Sequence, residues 1–203
     1  MENEIKKKRG FYEIEGKQLP SVTTVIGETL AKPQLRFWYG KIGTSEANKI
    51  SSEAKSFGSA MHKMLAEYLK TGQEPMREAL ATEVKQAWDV WYEWWADNPY
   101  NTELGVSEIE KTIYNEEYAG TCDALAGNCL IDWKFGGGIY PGYKIQLGAY
   151  AHLLNASKGL IVRVAKDEKN IEVLEMDKQA LEEAAEIFQA LLKVFWWLRG
   201  GKK

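Results

Sequence analysis

The run Ala119-Gly-Thr-Cys-Asp-Ala-Leu-Ala-Gly-Asn-Cys-Leu-Ile-Asp-Trp-Lys-Phe135 is the most restrictive stretch of the chain. Gly127-Asn128 suits a two-residue loop with glycine at its first central position, the type II′ turn that joins antiparallel strands. That turn sets Ala126 across from Cys129, and the register then runs outward to place Asp123 across from Asp132 and Thr121 across from Lys134. Two carboxylates then share one face with an ammonium one pleat away. The other face, Cys122, Ala124, Cys129, Ile131, Trp133 and Phe135, is apolar and demands a packed layer. Facing carboxylates cost stability unless a cation compensates them. Their oxygens suit hard Mg²⁺ or Mn²⁺ over zinc, and such an ion can activate a bound water as nucleophile. Lys134 is placed to orient or deprotonate that water, or to stabilise charge developing on a phosphate. An isolated Asp-x-Lys tripeptide reads more simply as a solvated edge strand, and it is the hairpin register that lifts it above that reading.

The rest of the chain predicts the layers this hairpin needs. Ser21 is an N-cap for a short helix, and Pro33 opens another that runs toward Gly43. From about Glu53 to Leu69, Met61, Met64, Leu65, Tyr68 and Leu69 make a helical stripe. A further helix over about Pro75–Asp97 carries Val84, Trp88, Trp91, Tyr92 and Trp95 on one face. Strands are expected at Phe11–Glu15, Val106–Tyr114, Tyr118–Leu125, Leu130–Phe135, Gly159–Ala165 and Asn170–Met176, with a turn over 166–170. A helix at about Tyr143–Leu154 follows the Gly136-Gly-Gly138 loop, and a last helix starts at the cap Asp177 with Leu181, Ala185, Phe188, Leu192 and Phe195 inward. This order predicts an α/β or α+β fold with a central mixed sheet flanked by helices and a helical N-terminal half.

With 203 residues, 45% of them hydrophobic, the chain reads as one domain over 1–203, residues 1–10 being a basic tail outside the core. No apolar window is long enough to span a membrane, and the start lacks the apolar segment of a secretory signal, so a cytoplasmic protein with no membrane partner is expected. Two cysteines provide neither a disulfide framework nor a four-thiolate site.

Four short motifs stand in a fixed order: Gly58-Ser-Ala-Met-His62, Gly120-Thr-Cys-Asp123, Asp132-Trp-Lys134 and Gln146-Leu-Gly-Ala-Tyr150. Together they resemble the PD-(D/E)XK nuclease superfamily, specifically its RecB-like exonuclease branch. Pro20-Ser-Val-Thr-Thr-Val25 is similar to the start of phage and mitochondrial-genome-maintenance exonucleases. The resemblance implies a restriction-endonuclease-like core. It also implies that His62, Asp123, Asp132 and the Trp133 carbonyl hold the metal, that Lys134 serves the attacking water, and that Gln146 and Tyr150 line the site. The iron–sulfur members of that branch use four cysteines, so no cluster is expected here.

Supporting residues follow. Glu108 and Glu110 lie on one face of a strand by period two, and Glu110-Lys-Thr-Ile113 resembles the family's Glu-x-x-Val, which favours Glu110 as the further acid. Gln146 and Tyr150, one helical turn apart, with Tyr143, Lys144, Ser21 and Thr23, are candidate nucleic-acid contacts. Trp94, Trp38 and Tyr39 are candidates for stacking on bases, whereas Trp88, Trp91 and Trp95 belong in a core and His152 on the surface. Lys6-Lys-Lys-Arg9 reads as a solvated tail able to add non-specific phosphate attraction.

The net charge of −3 does not oppose a DNA partner, because the sign is segregated. Lys134, Lys144, Lys158, Arg163 and Lys166 stand against the single acid Asp132 over residues 125–166. The expected function is a Mg²⁺- or Mn²⁺-dependent deoxyribonuclease, an exonuclease on single-stranded or end-bearing DNA, with a monomer favoured. The alternatives are a structure-specific or restriction-type endonuclease and a catalytically silent nucleic-acid-binding module.

Overall fold

The computed structural model describes residues 5–30, 32–165 and 171–201. Arg9-Gly10 and Glu15-Gly16 take positive φ at every residue (50° and 82°, 51° and 77°), the backbone of type I′ turns between antiparallel strands. Residues 6–20 accordingly form a small antiparallel sheet of β1 (Lys6–Lys8), β2 (Phe11–Ile14) and β3 (Lys17–Pro20). This corrects the expected basic tail: from Lys6 onward it is an edge strand, with Lys6 across from Glu13 and Lys7 across from Tyr12. Residues 1–4 lie outside the described residues, as does the turn expected over 166–170.

The central sheet is mixed. β4 (Val106–Tyr114), β5 (Ala119–Ala126), β6 (Cys129–Phe135), β7 (Lys158–Val164) and β8 (Ile171–Met176) neighbour one another in chain order. Only the β6–β7 pair is parallel, because α5 (Pro141–Leu154) carries the chain back between them. One face packs on α1 (Val22–Thr29), α5 and α6 (Lys178–Leu198), around Leu130, Leu147, Ile161, Phe188 and Phe195. The other packs on α3 (Thr44–Thr71) and α4 (Thr82–Ala96), where Met61, Leu65, Trp88, Trp91 and Trp95 close over Ile131, Trp133 and Val162. The expected α+β architecture is what forms, with α2 (Pro33–Ile42) leading into α3.

The boundaries differ where burial gives the sequence no periodic signal. α3 begins nine residues ahead of the expected Glu53, through a segment in which only Ala47 is buried. α4 begins at Thr82 rather than Pro75. Its whole apolar stripe starts at Val84, and the preceding Met76 is exposed with nothing to pack on. Both predicted caps form: the Thr24 N–H donates to Ser21 Oγ at 3.1 Å, and the Ala180 N–H donates to Asp177 Oδ1 at 2.9 Å.

Candidate active site

The hairpin turn and its first pairs are as expected. Gly127 has φ 58° while Asn128 is not among the residues with positive φ, and Ala126, Leu125 and Ala124 face Cys129, Leu130 and Ile131. Beyond that point the expected ladder is corrected, because the strands part. The Asp123 side chain, not a main-chain carbonyl, takes the next donor: the Trp133 N–H donates to Asp123 Oδ2 at 2.8 Å. A second departure accompanies it. Cys122 packs in the α5/α6 layer while Ala124 packs in the α3/α4 layer, so side-chain alternation is reset between them and the hairpin's apolar face is not continuous. On the neighbouring strand, regular pairing resumes on either side of Glu110, which has φ 51°. A non-glycine residue held in the left-handed region costs about 1–3 kcal/mol, and such residues concentrate at functional sites.

The two acids therefore acquire different partners. His62, on α3, brings Nδ1 to 3.4 Å from Asp123 Oδ1. Asp132 is buried and paired with Lys134, whose Nζ is 2.7 Å from Oδ2. Between them stands Gln146 of α5. Its amide N–H donates to Asp132 Oδ1 at 3.2 Å and its carbonyl accepts from Lys134 Nζ at 3.3 Å. The two ends of one amide thus match the two signs of charge. Tyr143 covers the ammonium, with Nζ 4.7 Å from the ring centroid. Tyr150 accepts from the Gln146 amide at 3.4 Å. Its ring lies against Gly120, where a Cβ would stand 2.2 Å from Tyr150 Cε1; the glycine of Gly-x-x-Asp is therefore a packing requirement. Arg163 donates to the Gly136 carbonyl at 2.8 Å and to Glu172 at 2.7 Å, tying the glycine loop that follows Lys134 to the sheet.

Charge and burial compete at each group. Burial pushes the Asp132 carboxyl up, with the Asp123 charge adding to it and Lys134 opposing. Burial would also raise Asp123, but the His62 and Lys134 charges and the Trp133 N–H bring it below the usual carboxylate range. His62 is raised: burial works against its charge, and the adjacent Asp123 outweighs it. Lys134 is held above its ordinary value by Asp132 and Asp123 against the same desolvation, so it carries its proton at neutral pH. Glu110 is raised by burial and then by Asp123, with Lys70 and Lys7 among the charges drawing it down.

His62, Glu110 and Asp123 each offer a ligand atom, and these atoms lie within 4.8 Å of one another. One imidazole nitrogen with carboxylate oxygens and no thiolate suits a divalent ion such as Mn²⁺ or Mg²⁺. Asp132 adjoins this group, its buried Oδ2 held by the Lys134 ammonium. His62, Glu110, Asp123, Lys134, Gln146 and Tyr150 open onto a recess of about 630 Å³ also lined by Ser21 and Thr23. Glu108, the other candidate acid, pairs with Lys111 at 2.6 Å.

Several expected contacts fall elsewhere. Lys144 is exposed on α5 and does not line the recess. Trp94 is partly buried, with its ring centroid 6.1 Å from Trp95 and 6.4 Å from Trp133. Trp38 and Tyr39 pack edge to face against each other, away from the recess. The Trp133 ring is buried in the α3/α4 layer, as its place on the apolar face of the hairpin predicts. Sequence reasoning missed Tyr12, Lys63 and Lys70, and read Lys7 only as part of a solvated basic tail; all four line the recess. The only signals available were the alternation along β1 and the i, i+7 spacing of the two α3 lysines.

No protein-family model matches the sequence, and no curated protein matches it. Solved structures similar to it include that of SSO0001 (17% identity over 89% of this chain and 79% of that one, TM-score 0.43). Another is a phage-related exonuclease from Haemophilus somnus 129PT (15% identity, 68% and 81%, TM-score 0.35). A third is an alkaline exonuclease from Laribacter hongkongensis (15% identity, 70% and 82%, TM-score 0.37).

Proposed function

We propose that this chain is a metal-dependent nuclease that hydrolyses DNA phosphodiesters, acting as an exonuclease on single-stranded or end-bearing DNA. The observation that carries the reading is the convergence of His62, Glu110 and Asp123 ligand atoms within 4.8 Å beside a buried Asp132–Lys134 pair at 2.7 Å. His62, Glu110 and Asp123 would hold Mg²⁺ or Mn²⁺, which when bound supplies Lewis-acid stabilisation of phosphate charge and acidifies water. The sequence reading adds Asp132 and the Trp133 carbonyl to that set. Asp132 joins it if Lys134 releases Oδ2 to a substrate phosphate, an exchange of one anion for another around the same ammonium.

The protonation of Lys134 narrows its role. An ammonium donates and does not accept, so Lys134 stabilises negative charge on the phosphate as bonds change, and removal of a proton from water falls to a carboxylate. Asp132, raised by burial, is the better base of the two aspartates. Gln146 holds Asp132 and Lys134 in register through one amide, and Tyr150 backs Gln146. Ser21 and Thr23 present hydroxyls to the same recess, where they suit phosphate oxygens.

The test is a time course on 5′- and 3′-labelled single strands with Mg²⁺ or Mn²⁺. Progressive shortening from one end, abolished by EDTA and by Asp123→Ala, is expected. Digestion that survives both would sink the assignment, and discrete internal products would replace the exonuclease with an endonuclease.

A further inference from the structure

β1 turns its lysines to two sides. Lys7 is the cross-strand partner of Tyr12, with Nζ 4.9 Å from the centroid of that ring. Lys6, opposite Glu13, and Lys8, opposite Phe11, point the other way by strand alternation. Of the three, only Lys7 lines the active-site recess. On α3, Lys63 and Lys70 are two turns apart on one stripe, with Glu67 between them, and both line the same recess. The charges of Lys7 and Lys70 reach Glu110, whereas Lys134 acts on Asp132, Asp123 and His62. The acids are thus bracketed by cations: Lys134 at the Asp132 end, Lys7 and Lys70 at the Glu110 end.

An edge strand rich in lysine is a common guard against strand-to-strand aggregation, and all three residues of β1 serve that purpose by being exposed. It does not explain why one of them is aimed over an aromatic ring into the recess that holds the acids. Nor do the Lys7, Lys63 and Lys70 ammonium groups take part in the hydrogen bonds around Asp132, which Lys134 and Gln146 supply.

Resting on the nuclease reading of the site, we infer that Lys7 of β1 with Lys63 and Lys70 of α3 forms a phosphate track. It holds an unpaired nucleic-acid strand on the Glu110 side of the reaction centre, with the Tyr12 ring beneath it. Lysines act as point charges and contact phosphate without reading bases, so the track grips every sequence alike and lets a strand slide as its end is consumed.

Binding of a labelled oligothymidylate is measured by fluorescence anisotropy in EDTA over a series of salt concentrations, so that affinity is read without cleavage. Lys7→Glu and Lys70→Glu should each weaken binding severalfold and flatten the log–log salt dependence by about one. Lys8→Glu makes the same charge change on the same strand but on its other face, and should bind as the parent does. Equal weakening by Lys7→Glu and Lys8→Glu would reduce the effect to net charge and overturn the track, as would parental binding by Lys7→Glu. Lys7→Gln, which removes the charge without adding a new one, guards against a folding defect and should show a smaller loss in the same direction. Parallel digestion with Mn²⁺ separates the two readings. A parent that cleaves while Lys7→Glu binds normally refutes the track alone, and a parent that neither binds nor cleaves refutes both.

Discussion

Along β6, Ile131 and Trp133 pack into the α3/α4 layer while Asp132 and Lys134 meet Gln146 of α5. A tryptophan stack and a charged site therefore lie one residue apart on the same strand. On the aromatic side, Trp91 and Trp95 stack with centroids 5.7 Å apart, and Trp133 meets them edge-on at 5.7 and 5.6 Å. The stack has a cost: the indole N–H groups of Trp88, Trp91 and Trp95 are buried without a hydrogen-bond partner among the described residues. On the charged side Asp123, Asp132 and Lys134 are each hydrogen-bonded or ion-paired, yet like charges are held together and Glu110 is kept in a left-handed conformation. The large apolar burial of the aromatic side fixes the backbone so that the carboxylates opposite cannot relax apart.

Substitutions on the two sides should separate activity from stability. Asp132→Asn keeps the side chain's shape and an oxygen for Gln146 but removes the charge. It should lower cleavage by about 10²–10⁴-fold, with a melting temperature close to the parent's; full activity in this variant would mean that the site lies elsewhere. Trp91→Ala should do the reverse, costing about 3–5 kcal/mol of stability in a denaturant titration while retaining cleavage at temperatures where the protein stays folded. Loss of activity without loss of stability would show that the aromatic layer acts directly on the chemistry.

Gly120→Ala probes the seam between the sides. Its new Cβ would stand 2.2 Å from Tyr150 Cε1, so the ring must swing away from Gln146, at a cost of about 1–3 kcal/mol for overpacking. Both activity and stability should fall, and in Gly120→Ala/Tyr150→Phe the activity should fall no further than in Gly120→Ala alone if Tyr150 is the residue displaced.

The smallest effect concerns pH. Without metal, the charged His62–Asp123 pair stabilises the fold below the unfolded histidine value of about 6.5, and that stabilisation is lost as pH rises through the raised folded value. A metal needs the neutral imidazole. Mn²⁺ affinity, followed by calorimetry, should therefore increase as pH passes upward through the His62 value, by at most about tenfold per unit, and His62→Gln should flatten that dependence. An affinity independent of pH in the parent would remove His62 from the ligand set.

Much of this architecture was legible in residue patterns. The Gly127-Asn128 turn, the caps Ser21 and Asp177, the tryptophan stripe of α4 and the inward face of α6 all depend on neighbours within a few positions, where turn chemistry and periodicity operate. The same holds for Asp132 and Lys134, which share a face because they are two residues apart on a strand. Legibility failed where the backbone departs from its period. The ladder opens at Asp123 because its own carboxylate takes the Trp133 N–H, and the alternation resets between Cys122 and Ala124 beside Glu110. It failed too for the first nine residues of the long α3 helix and for β1, whose exposed residues carry no apolar pattern to read.

The sequence by itself determined which residues are strand and helix over most of the core and which faces are apolar, since each is set by local conformational preference. Only the tertiary structure decided which acid meets which partner. His62 reaches Asp123 from another element, Gln146 bridges Asp132 and Lys134 from the crossover helix, and Lys7 enters the recess from an edge strand. These pairings join segments far apart in the chain, and they are settled by how the layers pack, a free-energy balance that no local pattern contains.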